Sequence, residues 1–315
     1  MRSYTKGLHE LGDGLYAYLQ PDGGWGWSNA GLVADGEATL LVDTLYDRPL
    51  TEEMLRAMRR AVPAAAHIDT LVNTHANGDH CYGNELAAGA RIVASERTAV
   101  EMAELPPAAM AALVRNAPSM GELGEFFLAC FGAFHFDGIE LALPHHTFSG
   151  ELELRVGDME LRLLEVGPAH TRGDTLVHVP AARTLYSGDI LFSGAHPIAW
   201  AGPVSNWIAA CDRILALEVE TIVPGHGPLA GPEQVRELKA YFEYLYEQAR
   251  RCREAGMSVL EAARAISLER WSEWNEGERL VVNLANVYAE LAGAEPPGAL
   301  EAFQQMAALA LDGEG

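Results

Sequence analysis

The amino-acid sequence predicts an α/β fold that ends in a helical C-terminal region. Over residues 10–231, short apolar runs separated by glycine-containing turns alternate with segments of helical periodicity. Residues 95–140 interrupt this alternation with a run rich in Ala, Met, Leu and Phe, which predicts a helical insert. Beyond Pro232, apolar residues recur at helical spacing almost to the end. We therefore expect an α/β domain over residues 1–231 and a helical extension over residues 232–315 that packs on it.

The first elements are expected to form an antiparallel β layer. Residues 15–19 alternate in polarity, as a half-buried strand does. The apolar runs 29–34 and 38–43 flank Asp35-Gly36, which is a strong hairpin signal. The chain therefore opens with strands that are close in sequence.

The later elements follow from periodicity and from turn residues. Helical spacing over residues 51–62 begins at Thr51, which is the expected N-cap residue. Further strands are expected at residues 68–73, 91–94, 152–156, 159–166, 175–179, 184–186 and 221–223. Further helices are expected at residues 84–88, 207–217, 233–255, 258–266, 278–291 and 300–311.

The composition indicates a globular protein with a strongly acidic surface. The chain has 315 residues, 49% of them hydrophobic, and its 44 acidic and 22 basic residues give a formal charge of −22. This charge opposes the neutralisation of phosphates, so no nucleic-acid partner is expected. No apolar run is long enough for a membrane span, and residues 1–20 lack a signal-peptide core. We expect a cytoplasmic protein with a small-molecule substrate, no membrane partner, and helix pairs able to form a homodimer.

A cluster of metal-ligand residue types follows the strand expected at 68–73. His75, Asp79 and His80 lie within six residues, and Asn77-Gly78 between them allows a tight turn. Imidazole and carboxylate are the ligands that borderline and hard divalent ions prefer. The end of a buried strand would hold these side chains rigidly, so the stretch predicts a metal site.

Three later strands end in the same residue types. His170 follows the strand expected at 159–166, Asp189 follows 184–186, and His226 follows 221–223. Four separate strands thus each deliver His or Asp at the C-terminal end.

The order of these motifs resembles the metallo-β-lactamase superfamily. The four motifs, HxNxDH, GxxHTxGD, SGD and PGHG, contain His75, His170, Asp189 and His226, and the likeness covers about residues 10–230. The resemblance implies a four-layer αβ/βα sandwich in which two mixed β-sheets face each other and helices lie outside. It places a metal site along one edge of the sandwich.

The resemblance also implies roles for individual residues. His75 and His170 match ligands of a first metal ion, Asp79, His80 and His226 match those of a second, and Asp189 matches the bridging carboxylate. A bridging carboxylate offsets the repulsion between two ions, and a bound ion lowers the pKa of a coordinated water toward neutrality. Zinc is the expected ion, with manganese or iron as alternatives, in one or two copies.

Asn77 departs from the family pattern, which usually reads HxHxDH. An amide oxygen is a poorer ligand for zinc than an imidazole nitrogen, although harder ions accept it. Three interpretations remain open: a weakened first site that still binds, a single ion at the second site, or a different metal such as manganese or iron.

Other residues are expected to support the metal site or to contact substrate. Asp43 and Asp174 match carboxylates that orient the metal ligands. The helical insert, with Met120, Phe126, Phe127, Phe131 and Phe134, is expected to cover a pocket. Candidate substrate contacts are His145, His146, His196, Tyr82, Trp25, Trp27, Trp200 and, as a rim or core residue, Trp207.

The leading hypothesis is a metal-dependent hydrolase that attacks a carbonyl with a metal-bound hydroxide, with Asp79 as a proton acceptor. The substrate would be a small, apolar ester, lactone, thioester or amide. One alternative is a Lewis-acid cyclase, lyase or decarboxylase of secondary metabolism, which Asn77 favours. Another is a relative that binds metal without catalysis.

Overall fold

The computed structural model describes residues 4–312, with side chains over residues 4–310. Within these residues the chain forms two mixed β-sheets. The first sheet has the spatial order β1 (Gly7–Gly12), β2 (Leu15–Leu19), β3 (Ala30–Asp35), β4 (Ala38–Val42), β5 (Thr70–Val72), β6 (Arg91–Ser95) and β7 (His146–Phe148). The second has the order β12 (Thr221–His226), β11 (Thr184–Phe192), β10 (Thr175–Val179), β9 (Met159–Glu165) and β8 (Glu151–Val156).

Helices cover both outer faces of the sheets and one edge. They are α1 (Arg48–Ala61), α2 (Gly78–Cys81), α3 (Glu96–Met102), α4 (Pro107–Asn116), α5 (Glu122–Phe131), α6 (Val204–Ala216), α7 (Pro232–Glu254), α8 (Val259–Ala265), α9 (Leu280–Ala292) and α10 (Ala299–Asp312). None of the helices in the described residues is both long enough and apolar enough to span a bilayer.

The two sheets pack face to face, and this packing confirms the expected sandwich. Side chains of both sheets, such as Val42 and Val72 from the first and Leu163 and Val177 from the second, share one buried core. This core is possible because strand residues alternate between the two faces of a sheet. Met54 of α1 packs on the outer face of the first sheet. The four layers therefore run helix, sheet, sheet, helix.

The C-terminal helices complete the core on the outer face of the second sheet. Leu185 of β11, Trp207 of α6, Phe242 of α7 and Leu284 of α9 are all fully buried in one cluster. The Trp207 and Phe242 rings lie 4.7 Å apart between centroids. These helices bury their apolar faces both against the second sheet and against one another.

The first helix begins earlier than the sequence indicates. Asp47 is the N-cap residue, and its side chain accepts a hydrogen bond from the Leu50 backbone N–H at 2.9 Å. The expected cap, Thr51, is wrong: its buried hydroxyl accepts instead from the Leu45 N–H at 3.2 Å. The helix could start at Arg48 because proline at position 49 is tolerated in a first turn.

Two further boundaries differ from expectation. Asp189 lies inside β11, which continues to Phe192 instead of ending before the SGD motif. His146 begins β7, an edge strand that pairs in parallel with β6, so the expected loop position is wrong for His146. His145 is the last residue before this strand. Three residues are too few for periodicity to reveal a strand.

The helical insert and the end of the extension meet over one edge of the sandwich. Phe303 of α10 lies 5.9 Å from Phe127 and 5.8 Å from Phe131 of α5, measured between ring centroids. The same edge carries the residues that follow β5 and the C-terminal halves of β11 and β12. The sequence motifs and the helical regions are thereby brought to one place.

Candidate metal centre

Four buried histidines point the same ring nitrogen toward a common centre. The Nδ1 atom of each is held by the surrounding chain, so the Nε2 atoms face inward. The Nδ1 partners are Thr74 Oγ1 at 3.0 Å for His75, Asp43 Oδ2 at 3.0 Å for His80, the Ile198 carbonyl at 2.7 Å for His170 and the Gly23 carbonyl at 3.1 Å for His226. The carboxylate and carbonyl oxygens accept hydrogen bonds, and the Thr74 hydroxyl already donates its hydrogen to Asp43 at 2.7 Å, so each Nδ1–H is the donor. Each Nε2 is then directed toward the other side chains.

Asp189 lies at the middle of the four imidazoles. Its Oδ1 is 3.1 Å from the His80 Nε2, and its Oδ2 is 3.2 Å from His170, 3.5 Å from His226 and 3.8 Å from His75. Burial raises the pKa of Asp189, but the surrounding imidazoles outweigh it and hold the pKa well below its usual range. Asp189 is therefore a carboxylate at neutral pH.

Asp79 is the second carboxylate of the cluster. Its Oδ2 lies 3.2 Å from the His226 Nε2 and 3.9 Å from the His80 Nε2. Burial lowers the pKa of His226, but Asp189 and Asp79 more than reverse this and raise it to about 9. A proton held on His226 would compete with a metal ion for Nε2, so metal binding here would release protons.

The donor set fits a divalent ion. The Nε2 atoms of His75 and His80 and the Oδ1 of Asp189 are buried and make no aligned hydrogen bond within residues 4–310. Buried polar atoms without partners are costly, and a metal ion would satisfy all three. Two groups have ligand atoms within 4.8 Å of one another, namely His75, His80 and Asp189, and Asp79, His80 and His226.

His80 belongs to both groups. Its Nδ1 is occupied by Asp43, so only Nε2 can bind a metal, and one nitrogen lone pair binds one ion. The two groups therefore compete for the same imidazole. Asp189 and His226 are near enough to complete either arrangement.

Asn77 contacts the one imidazole that lies outside both groups. Its Nδ2 is 3.0 Å from the Nε2 of His170. Since the His170 Nδ1–H is directed at the Ile198 carbonyl, Nε2 is an acceptor and the amide N–H donates to it. The free lone pair of the His170 Nε2 is therefore occupied by the hydrogen bond from Asn77. The family pattern HxHxDH has a histidine at position 77 instead.

Two carboxylates outside the cluster hold the ligands in place. Asp43, at a left-handed φ of 61°, accepts from His80 and from the Thr74 hydroxyl at 2.7 Å. Such backbone strain in a non-glycine residue persists only where the surroundings impose it. Asp174 accepts from the backbone and hydroxyl of Thr171, which fixes the loop that carries His170. Burial raises the pKa of Asp174 to about 8.

Glycine is required beside Asp189. A Cβ atom at position 225 would lie 1.8 Å from the Asp189 Oδ1, far closer than atoms can approach. Gly225 of β12 thus lets the central carboxylate lie directly against the neighbouring strand. The PGHG motif supplies both a ligand and the space for one.

The metal-ligand cluster forms the floor of a cavity of about 540 Å³. Asn77, Asp79, His170, Asp189 and His226 line this floor. The upper part is bounded by an apolar wall, which we define as Trp25, Phe127, Phe131, Trp200 and Phe303. A volume of this size accommodates a small molecule with an extended apolar part.

The structure places only some of the expected substrate contacts at the cavity. Trp25 and Trp200 line it. Trp27 packs instead on Phe134, at 4.9 Å between ring centroids, and the Tyr82 hydroxyl donates to the Leu105 carbonyl at 2.7 Å.

The three candidate histidines outside the ligand set also lie away from the cavity. His196 is buried among aromatic side chains, 5.3 Å from the Tyr241 ring. His146 is exposed at the start of the edge strand β7, and His145 is exposed directly before it. Trp27, Tyr82, His145, His146 and His196 are thus not among the residues that line this cavity, and their contact with substrate remains a prediction. Trp207 lies in the core of the second sheet.

Several cavity residues gave no signal in the sequence. Tyr46 lines the floor, and burial raises its pKa well above the usual range, so its phenol stays protonated. Phe303 and Arg279 come from the extension, where no motif distinguishes them from core positions. The helical spacing of Phe303 could identify a buried face, but not what that face covers.

Comparisons with known proteins agree with this geometry. A family model described as the metallo-beta-lactamase superfamily matches residues 23–226. The 2,4-dinitroanisole O-demethylase subunit alpha of Nocardioides sp. (strain JS1661) is 27% identical over 200 residues, covering 62% of this chain and 51% of that protein. Acyl-coenzyme A thioesterase MBLAC2 of Gallus gallus is 30% identical over 95 residues, covering 28% of this chain and 34% of that protein.

A solved structure extends the likeness of the fold into the helical extension. The stereoselective inverting sec-alkylsulfatase Pisa1 from Pseudomonas sp. superposes with a TM-score of 0.67 at 16% identity, covering 91% of this chain and 50% of that chain. This chain therefore spans about half of the demethylase subunit and of the alkylsulfatase, and about a third of the thioesterase.

Proposed function

Because this chain belongs to the metallo-β-lactamase superfamily, we propose that it is a metal-dependent hydrolase that cleaves the bond between a carbonyl carbon and its leaving group in a small, apolar substrate. The bond would be that of an ester, lactone, thioester or amide. The observation that carries the proposal is the convergence of imidazole and carboxylate ligands on the floor of an apolar cavity. The thioesterase and demethylase relatives are consistent with cleavage chemistry on this fold, although their names do not fix the substrate here.

The ligand set would hold one divalent ion, for which zinc is the first candidate. His80 and Asp189 are common to the arrangements that the geometry allows, with His75 or with Asp79 and His226 completing the site. When bound, the ion would supply Lewis acidity and a water of lowered pKa.

The other steps belong to side chains of this chain. Asp79 lines the cavity. Burial raises the pKa of its carboxyl group, but His80 and His226 together lower this pKa by more, so Asp79 is a carboxylate that can accept a proton. Water adds to the carbonyl carbon, the bond to the leaving group breaks, and the leaving group receives the proton. The neutral Tyr46 phenol also lines the floor and can donate a hydrogen bond to a substrate oxygen.

The test is metal-dependent turnover of simple esters. We expect protein treated with a chelator to lose activity on 4-nitrophenyl esters of graded acyl length and to regain it with a stoichiometric divalent ion. Longer acyl chains should lower KM because the apolar wall would bury them. Full activity after chelation, verified by elemental analysis, would contradict the proposal.

A Lewis-acid cyclase, lyase or decarboxylase is the second candidate. The hydrogen bond between Asn77 and His170 favours this second candidate. It occupies one imidazole that a second metal ion would need, so a two-ion hydrolytic centre is less favoured. Turnover in ¹⁸O-labelled water separates the two functions. Hydrolysis incorporates one labelled oxygen into a product, whereas the alternative reactions proceed without incorporation of solvent oxygen.

A further inference from the structure

Arg279 is a buried cation at the edge of the cavity. The side chain is 1% exposed, and Arg279 is the only lysine or arginine among the cavity-lining residues that the structure describes. Its Nη1 donates to the His196 carbonyl at 2.9 Å, but Nε has no hydrogen-bond partner. Within residues 4–310 no carboxylate oxygen lies within 4 Å of the guanidinium. A buried guanidinium without a counter-charge is costly, and it cannot lose its proton.

Two aromatic rings fix the position of this cation next to the metal centre. The guanidinium carbon lies 4.2 Å from the Trp25 ring centroid and 5.3 Å from that of Phe192. The Phe192 ring stacks on the His226 ring at 5.2 Å, with an angle of 8° between the planes. A single ring therefore separates the cation from a metal ligand, and the Trp25 indole N–H is itself held by Glu278 at 2.9 Å.

The charges around Arg279 leave it available to a ligand. Glu276 interacts with Arg279 electrostatically, but burial raises the pKa of Glu276 by more than Arg279 lowers it. Burial and Arg279 together lower the pKa of His196 to about 4, so this neighbour is neutral. Arg279 also lines the cavity, and its Nε makes no hydrogen bond within residues 4–310.

We propose that Arg279 binds an anionic group of the substrate close to the scissile bond, so that the substrate is an amphiphilic monoanion. Its apolar tail would lie along the wall of Trp25, Trp200 and Phe303. This inference rests on the proposed hydrolase function and narrows its substrate class. The anion is a carboxylate beside the scissile carbonyl, because its two oxygens match the guanidinium fork. A sulfate monoester offers a similar charged group without a carbonyl, so turnover of decyl sulfate in its place would keep the anion site and overturn the carbonyl as the scissile group.

A single negative charge suits the site better than two. Arg279 is one cation, whereas Glu101, Glu104 and Glu295 also line the cavity, and the whole chain carries a formal charge of −22. A dianion would gain one ion pair and meet several like charges. The apolar wall would thus bind the tail of the substrate, and Arg279 would bind its single negative charge.

The test compares three substrates of equal tail length. Monodecyl succinate carries a carboxylate near the scissile carbonyl, decyl sulfate carries the charge on the scissile group, and decyl methyl succinate is the neutral control. We expect Arg279→Met to lower kcat/KM for the preferred anionic substrate by about 30-fold or more, since a hydrogen bond to a charged group is worth one to two orders of magnitude. The same variant should change turnover of the neutral diester by less than about threefold.

Two further variants are controls for the Arg279→Met result. Arg279→Lys keeps the charge but not the fork, so it should recover part of the loss on the anionic substrate. Arg270→Met is the matched control, because Arg270 also stacks on an aromatic ring, at 4.9 Å from Trp271, but is exposed and paired with Glu237. It should leave all three substrates unaffected. An equal loss on charged and neutral substrates in Arg279→Met, with no recovery in Arg279→Lys, would overturn the proposal.

A binding measurement separates this inference from the proposed function. Tryptophan fluorescence, which Trp25 should report, gives the affinities of decanoate and 1-decanol for the protein as purified. We expect Arg279→Met to weaken decanoate binding by about tenfold or more and to leave 1-decanol binding unchanged. If no ester is turned over but this difference holds, the hydrolase proposal fails and the anion site stands. If both ligands bind both proteins equally well, the anion site is wrong whatever the turnover.

Discussion

The floor and the wall of the cavity are held together by different interactions. On the floor, each imidazole is fixed by one directional hydrogen bond, such as His80 to Asp43 and His226 to the Gly23 carbonyl. In the wall, Trp25, Trp200 and Phe303 meet one another through ring contacts of 5.7 to 6.3 Å between centroids, and the hydrogen bond from the Trp25 indole to Glu278 lies outside these contacts. Directional contacts set geometry to tenths of an ångström, whereas ring contacts set shape and apolarity. Substitutions on the floor should therefore cause large losses of metal binding and activity. Substitutions in the wall should cause smaller changes in stability and KM.

The sharpest break is expected from removing a ligand on the floor. Asp79→Ala and His226→Ala should each lose bound metal and lower kcat/KM on the order of 10³-fold or more, because these residues would hold the ion that supplies Lewis acidity and a water of lowered pKa. Elemental analysis and ester turnover would be measured on the same preparations. His146→Ala, which alters an exposed histidine of β7, is the control and should match the wild type. Metal content and activity that separate in the Asp79 variant would argue that Asp79 is not a ligand.

A smaller break should follow from a methyl group beside the floor. Gly225→Ala puts a Cβ where the Asp189 Oδ1 now lies, at 1.8 Å, so the central carboxylate must move. We expect a loss of about 10- to 100-fold in metal affinity, the range found when the support of a metal ligand is disturbed. Gly277→Ala is the matched control, since a Cβ there meets nothing within 4 Å. An unchanged metal titration would mean that Asp189 does not bind the ion.

A wall residue should show the gradual response. Phe303→Ala removes a half-buried ring that contacts Trp25, Trp200 and Phe131, and should lower the free energy of unfolding by about 2 kcal/mol, less than for a fully buried ring. KM for a decanoate ester should rise several-fold while kcat for an acetate ester stays the same. Gln304→Ala, the exposed neighbour on α10, controls for the helix itself. A loss of metal in Phe303→Ala would show that wall and floor are not independent.

The smallest change in activity is expected from Asn77→His, but it should alter stoichiometry. The substitution removes the amide that now occupies the His170 Nε2 and adds an imidazole, so bound divalent ion should rise from about one per chain toward two. Asn77→Ala is the control, because it frees His170 without adding a ligand. An unchanged metal content in Asn77→His would show that the missing imidazole is not what limits the first site.

The sequence predicted the floor far better than the wall for a physical reason. Ligands at strand ends need particular residue types beside glycine or a turn, so His75, Asp79 and His226 stand in recognisable local patterns. The two-sheet sandwich followed from the same motifs and is confirmed. Wall positions need only be apolar and large, and many residues meet that condition. Trp27 and His196 were therefore expected at the cavity although they pack elsewhere. Arg279 was missed because the residues next to it in the sequence give no indication that it lies against the Trp25 ring.

The shared position of His80 has a thermodynamic consequence. Its Nε2 and that of His75 are buried without an aligned partner, and an ion that satisfies them binds only the folded chain. Ion binding and folding are then linked equilibria, and stability should rise by about 4 kcal/mol when free ion exceeds its Kd roughly a thousand times. The melting temperature thus becomes a metal assay that requires no substrate. Titrating zinc, manganese and iron(II) against Tm would rank the candidate ions for this chain.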